Sequence, residues 1–131
     1  MIESTYGGRV HERLADAGEK LAEVIRRAVK TGAKVIIPSF AFERTQEIVF
    51  ILDRLFREGA APRLPVYVDS PMAVSLTEIF NKRRDDFSFD DKFQAYARMD
   101  GDPFGFDYIR YLRTKEESQS INSRKGPMLV L

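Results

Sequence analysis

Apolar residues recur at intervals of three and four positions in three stretches of the chain, the spacing of an amphipathic helix. The first stretch covers 13–30 and is followed by Gly32, a residue type that often ends helices. The second covers about 43–58 and is followed by Gly59. The third begins at Ser70-Pro71, a hydroxyl cap followed by proline at the first helical position. We predict that its inward face is formed by Met72, Leu76, Ile79 and Phe80.

Short apolar runs alternate with these helices and predict strands. Continuous apolar runs are typical of strands that are covered on both faces. We therefore predict three central, buried strands, at 35–37, 66–68 and 128–131. Residues 108–112 alternate and predict an outer strand, and shorter helices are expected at 91–99 and 115–123. Strands alternating with helices predict an α/β fold, a three-layer α/β/α sandwich with a mainly parallel, Rossmann-like sheet.

The charge balance does not favour binding to a polyanion over the whole surface. The 131 residues include 21 Lys and Arg against 20 Asp and Glu, which gives a formal net charge of +1. Any contact with nucleic acid must therefore come from a local patch. The basic run at 82–84 is followed at once by Asp85-Asp86, a pattern typical of a solvated face.

Several classes of protein are excluded by residue counts. The chain has no cysteine and one histidine, His11, so it has neither a disulfide framework nor enough soft ligands for a zinc site of its own. No apolar run approaches the roughly 20 residues of a membrane span. We expect one cytoplasmic domain over 1–131. Because the chain ends on an apolar run, we also expect it to be a piece of a longer protein.

Candidate chemistry lies where the predicted strands end. Ligands of open parallel sheets bind beyond the carboxyl ends of the strands. Three segments occupy that position, namely 3–7, 38–41 and 69–72. Amides at helix starts beside Ser39 and Ser70 would suit a phosphodiester. The more ordinary role of the two serines is to cap helices, with Asp69 supporting its turn.

The same three segments resemble a known family. Glu3-Ser4-Thr5-Tyr6-Gly7 with Arg9 and His11-Glu12 is similar to the first block of the β-CASP nucleases of the metallo-β-lactamase superfamily. Residues 37–47, IPSFAFERTQE, resemble their second block, and residues 65–73, PVYVDSPMA, their third. Order and spacing agree over nearly the whole chain, and the first block is closest to the RNA-processing branch.

The resemblance implies a function in RNA cleavage. In the family, the β-CASP domain is inserted into a metallo-β-lactamase domain, which binds two zinc ions, and single-stranded RNA enters between the two domains. It implies that Glu3 is the first conserved acid, which helps to keep a histidine protonated as general acid. Substrate contacts are expected from Ser39, Arg44, Asp69 and Ser70. The structural signature falls on Thr5, Tyr6, Gly7 and His11.

The same resemblance predicts that this chain is inactive alone. The family's two β-CASP histidines lie downstream of Leu131, and no metal ligand is expected here. The metallo-β-lactamase domain and RNA are the expected partners, with a second copy of the chain as a further candidate and no membrane. For Arg44, contact with phosphate and pairing with Glu3 or Asp69 remain open.

Three other functions stay open at this point. A non-catalytic β-CASP module could act as a scaffold of a processing complex, although the retained Glu3 disfavours this. A response-regulator-like domain should show an adjacent acid pair and a late lysine, which are missing. A dinucleotide-binding domain needs the spacing G-x-G-x-x-G, and Gly7-Gly8 does not provide it. Five phenylalanines could stack on bases, but we predict that they pack in the core or in a lid. They lie at positions 87, 89, 93, 104 and 106.

Overall fold

A computed structural model of the chain describes residue 8, residues 14–83 and residues 91–131. Their elements are, in chain order, α1 (Leu14–Thr31), β1 (Lys34–Ile36), α2 (Arg44–Arg57), β2 (Val66–Val68), α3 (Pro71–Lys82), α4 (Asp91–Asp100), β3 (Ile109–Tyr111), α5 (Lys115–Ser123) and β4 (Met128–Val130). Among these, no helix has the length and apolarity that crossing a bilayer would require. The predicted α/β class is confirmed.

The four described strands form one parallel sheet in the order β1-β4-β2-β3. Val35 of β1 pairs with Leu129 of β4, and Leu129 also pairs with Val66 of β2. On the other side of β2, Val66 pairs with Ile109 of β3. The last strand in the chain therefore lies between the first two, with helices as the crossover connections that parallel pairing needs.

Alternating side chains of the strands serve two separate cores, one on each face of the sheet. Val66 and Val68 are fully buried in the larger core with residues of α1, α2 and α3. Tyr67, between them, packs on the other face with Ile121 of α5. Because neighbouring strand residues point to opposite faces, this division places helices on both sides. The three-layer sandwich is confirmed.

Helix α5, which covers the second face, is fixed at both ends. Thr114 caps its start in a reciprocal capping box with Glu117. Backbone hydrogen bonds from Arg113 and Thr114 hold the pKa of Glu117 below its usual value. At the far end Lys34 Nζ donates to the carbonyls of Ile121 and Asn122 at 2.8 and 3.1 Å. A cation at this end also complements the helix dipole.

Helix α4 is joined to α2 through a buried carboxylate. The Tyr96 hydroxyl donates to Asp53 Oδ2 at 2.7 Å, and Arg57 Nε donates to Asp53 Oδ1 at 3.2 Å. Burial and the neighbouring carboxylate both raise the pKa of Tyr96. These contacts satisfy the Asp53 carboxylate, whose charge would otherwise be costly to bury. Their role is therefore structural.

Two sequence predictions about burial were wrong. Strand β1 lies at an edge of the described sheet rather than at its centre, with one neighbouring strand among the described residues, and Ile36 is 74% exposed. Met72 and Ile79 of α3 are 67% and 50% exposed. That helix instead buries Ala73, Val74 and Thr77, and of the predicted face it buries Phe80.

Candidate functional site

The first of the three candidate segments cannot be placed. Glu3, Thr5, Tyr6, Gly7 and His11 lie outside the described residues. Their predicted roles therefore stay predictions. The second and third segments are described in full.

These two segments leave the sheet at one edge, on either side of β4. The amide of Ile37 donates to the carbonyl of Val130 at 2.8 Å as the chain leaves β1. The amide of Asp69 donates to the carbonyl of Leu131 at 2.8 Å as it leaves β2. Since all strands are parallel, both exits lie at the carboxyl edge, where ligands of such sheets bind.

A chain of hydroxyl groups fixes the β1–α2 loop, residues 37–43. The buried Thr45 donates its hydroxyl hydrogen to the carbonyl of Phe40 at 2.8 Å, and its amide reaches the same carbonyl at 3.2 Å. Ser39 Oγ lies 2.9 Å from Thr45 Oγ1. Because the Thr45 hydrogen is already engaged, Ser39 is the donor in this pair. Ser39 thus keeps a lone pair for a ligand, but its hydrogen is used within the loop.

Gln46 ties the same loop to α3. Its Nε2 donates to the carbonyl of Ala41 at 3.1 Å and to Thr77 Oγ1 at 2.9 Å. Both partners are acceptors here, since the Thr77 hydroxyl donates to the carbonyl of Ala73. The amide orientation is therefore determined by its surroundings. Gln46 Oε1 is buried and has no hydrogen-bond partner among the described residues, so this contact is held at some energetic cost.

The loop presents aromatic rings at the sheet edge. Phe40 is 85% exposed, and Phe42 is exposed beside the buried Phe80, with 5.8 Å between the ring centroids. Phe104, in contrast, is buried against Phe80 and Phe93, which confirms core packing for that member of the phenylalanine group. The phenylalanines at 87 and 89 lie outside the described part of the chain.

Arg44 forms an ion pair with Glu47 of its own helix. Asp69 is the described acid that the sequence offers as an alternative partner for Arg44. It instead accepts a hydrogen bond from Ser118 Oγ at 2.8 Å. The side chain of Arg44 remains 61% exposed at the start of α2. An exposed pair of this kind is weak, so the guanidinium can be redirected to an anion at little cost.

The β2–α3 junction follows the ordinary rules of a helix start. Ser70 Oγ accepts from the amide of Ala73 at 3.2 Å, with Pro71 at the first helical position. Asp69 is linked by Ser118 to the first turn of α5. The capping role that we considered for Ser70 is thus present. Ser39 differs, since Glu43 rather than Ser39 precedes α2, without a side-chain cap.

Thr45 and Gln46 were not among the residues predicted to shape this edge of the sheet. They continue the inward stripe of α2, which runs on through Val49 and Leu52, and they are as buried as those residues. Polar side chains at positions of an apolar stripe need partners. That requirement is the signal by which the sequence could have indicated them.

The described residues do not fit a metal centre. Within residues 14–83 and 91–131, no three His, Cys, Asp or Glu side chains are grouped closely enough to hold an ion. Asp69 and Glu47 at the edge are engaged instead with Ser118 and Arg44.

Comparison with known proteins agrees with this geometry. The model of the Beta-Casp domain matches residues 45–131. The chain belongs to the β-CASP family. It is 33% identical over 132 residues to Ribonuclease TTHA0252 of Thermus thermophilus, covering the whole chain and 30% of that protein. The family assignment confirms the predicted resemblance to the β-CASP family and removes the response-regulator alternative.

Other β-CASP relatives come from eukaryotes and archaea. Endoribonuclease YSH1 of Saccharomyces cerevisiae is 30% identical over 139 residues, with 17% of its length covered. Transcription termination factor FttA of Lokiarchaeum sp. is 28% identical over 134 residues, with 20% covered. Both alignments include the whole of this chain. The chain therefore spans less than a third of the length of each of these relatives.

Proposed function

We propose that this β-CASP domain clamps single-stranded RNA in a zinc-dependent nuclease that processes RNA by phosphodiester hydrolysis. The main observation is the carboxyl edge of the sheet, where two of the three family blocks leave on either side of β4. Two of the relatives are named a ribonuclease and an endoribonuclease, which supports the same reaction for the protein containing this domain.

The described edge offers contacts for RNA rather than a complete catalytic centre. Arg44 is an exposed cation at this edge, and it would hold a phosphate by charge. The start of α3 beside Ser70 adds the partial positive charge of a helix N-terminus. Asp69 would accept hydrogen bonds from ribose hydroxyls. Ser39 would also act as an acceptor, because its own hydrogen is donated to Thr45.

We assign the proton-transfer role to Glu3. The metal ions lie, in this proposal, outside the described residues. A carboxylate that accepts a hydrogen bond from a histidine favours the charged imidazolium, the form that can protonate a leaving oxygen. The zinc ions belong, in this proposal, to a metallo-β-lactamase domain of the same polypeptide, so no metal step is assigned to this chain.

The test uses the longer polypeptide that contains this domain. We expect Glu3→Gln to lower kcat at least a hundredfold, the usual contribution of general acid–base groups, with KM for RNA nearly unchanged. The assay is RNA cleavage under saturating and limiting substrate, with zinc content and thermal unfolding measured for each variant. A kcat close to wild type in a folded, zinc-loaded variant would show that Glu3 is structural. An inactive wild-type protein that still binds RNA would favour the scaffold alternative.

A further inference from the structure

A cavity of about 320 Å³ lies beside the candidate edge, between α3 and β3. Its size is within the range of pockets that bind small molecules. Glu78 and Asn81 of α3 line one wall, and Tyr111 and Arg113 line the wall formed by β3 and the residues after it. The turn at 102–105 closes a third side.

Hydrogen bonds hold the third wall in shape. Asp102 Oδ1 accepts from Asn81 Nδ2 at 3.2 Å and from the amide of Phe104 at 3.3 Å. The Tyr111 hydroxyl donates to the carbonyl of Phe104 at 2.7 Å. A Cβ at Gly105 would come within 2.1 Å of Asp102 Oδ2, so a larger residue there would displace this carboxylate from its present position. The cavity is therefore preformed rather than a loose gap between elements.

Charged and aromatic residues both line the cavity. Arg113 and Glu78 form an ion pair that joins the end of β3 to α3 and presents a donor beside an acceptor. That pairing keeps the pKa of Glu78 below its usual value, so the carboxylate is charged at neutral pH. Asp102 Oδ1 takes both described hydrogen bonds, which leaves Oδ2 as an acceptor.

The charges decide which part of a nucleotide would fit. The cavity is lined by two carboxylates, Glu78 and Asp102, and by one guanidinium, Arg113. An excess of negative charge disfavours a phosphate. A nucleobase has flat apolar faces and an edge of donors and acceptors, which suits aromatic walls flanked by carboxylates and a guanidinium.

The position of the cavity connects it with the candidate RNA path. Strand β3 is the neighbour of β2, and Arg113 follows β3 at the carboxyl edge. Neighbouring strands lie about 4.8 Å apart. Arg113 therefore places one part of the cavity lining one strand away from the exit of β2 at Asp69.

We propose that this cavity is a subsite that binds one unstacked base of the RNA strand, through stacking in its aromatic interior and hydrogen bonds to Glu78, Asp102 and Arg113. The subsite rests on the proposed function, since it gives the clamped strand a second point of attachment. It would confer a base preference at one position of the bound strand.

To test this, we would titrate this chain with the four uncharged ribonucleosides. Binding is monitored through the NMR signals of backbone amides and of side-chain N–H groups. We expect saturable shifts at Gly105, Asn81 and Arg113 and a different affinity for each base. The double variant Glu78→Gln/Arg113→Gln should weaken binding about tenfold, as expected for losing hydrogen bonds to charged groups. Both side chains are well exposed, so the fold should tolerate the change.

The matched control is Arg54→Gln/Glu58→Gln, a similarly exposed ion pair on α2 that does not line the cavity. Shifts elsewhere, no saturable shifts, or equal weakening in the control would overturn the subsite. A single-stranded RNA oligonucleotide is titrated in parallel. If it binds wild type and double variant equally, the subsite fails and RNA clamping stands. If nucleosides bind in the cavity but the longer polypeptide that contains this domain does not bind the oligonucleotide, RNA clamping fails.

Discussion

The two loops at the carboxyl edge solve the same geometric problem in different ways. Between β2 and α3 the chain turns within Asp69 and Ser70, using a hydroxyl cap and Pro71. Between β1 and α2 it needs residues 37–43, and Glu43 adopts φ 66°, a value that non-glycine residues rarely take. At the short junction the helix start is capped by neighbours in sequence, and Asp69 also accepts from Ser118 of α5. The long loop depends instead on buried polar side chains of α2. The long loop is therefore the more fragile half of the candidate site.

The largest loss of stability should come from replacing the hydrogen-bond donor at position 46 with an acceptor. Gln46→Glu has nearly the same shape but places a carboxyl oxygen against the carbonyl of Ala41 and Thr77 Oγ1. We expect a loss of about 3 kcal/mol at pH 7, because a buried charge faces two acceptors. Urea unfolding measures it, with Gln119→Glu on an exposed face of α5 as the control.

This loss should depend on pH in a defined direction. Burial raises the pKa of the new carboxyl group in the folded state above its unfolded value of about 4.3. Below that pH the group is protonated in both states and can donate to Ala41. As pH rises through 4.3 the unfolded state loses its proton first, so the deficit relative to wild type grows. A deficit that is constant between pH 4 and 7 would mean that position 46 is open to water.

Removal of the Thr45 hydroxyl should have the next largest effect. Thr45→Val deletes the donor to Phe40 and the acceptor of Ser39 while keeping the shape of the buried side chain. We expect a loss of about 2 kcal/mol, since both partners lose a hydrogen bond in a partly buried loop. Thr31→Val, whose hydroxyl bonds within its own helix, is the control. Equal losses in urea unfolding would show that the hydroxyl chain does not hold the loop.

The contrast between the loops also explains what the sequence could predict. Ser70-Pro71 indicated the start of α3 correctly, because capping and proline geometry act over three residues. The partners of Thr45 and Gln46 depend on how α2 and α3 pack, and no local pattern specifies that contact. The rotation of α3 that exposes Met72 and Ile79 is missed for the same reason. Strand positions and fold class follow from periodicity, whereas the loop geometry needs the tertiary structure.

At the short junction we expect a smaller and purely local effect. Ser70→Ala removes the cap that accepts from the amide of Ala73, which should cost about 1 kcal/mol. Ser75→Ala, in the same helix, removes a hydroxyl that bonds to the carbonyl of Pro71 and should be neutral or slightly stabilising. Both are measured by urea unfolding. A loss above 2 kcal/mol for Ser70→Ala would mean that this junction, like the long loop, supports more than its own helix.

Arg44 should contribute least to stability and most selectively to RNA binding. Its exposed pair with Glu47 is worth a few tenths of a kcal/mol, so Arg44→Gln should barely change unfolding. If the guanidinium contacts a phosphate, RNA affinity falls equally for all sequences, and the slope of log affinity against log salt decreases by about 1. Arg54→Gln is the control, because Arg54 pairs with Glu58 on the same helix near its other end. Fluorescence anisotropy of a labelled single-stranded RNA at several salt concentrations distinguishes the two variants. If both change the salt slope equally, the effect is one of net charge, and the long loop does not direct a phosphate contact through Arg44.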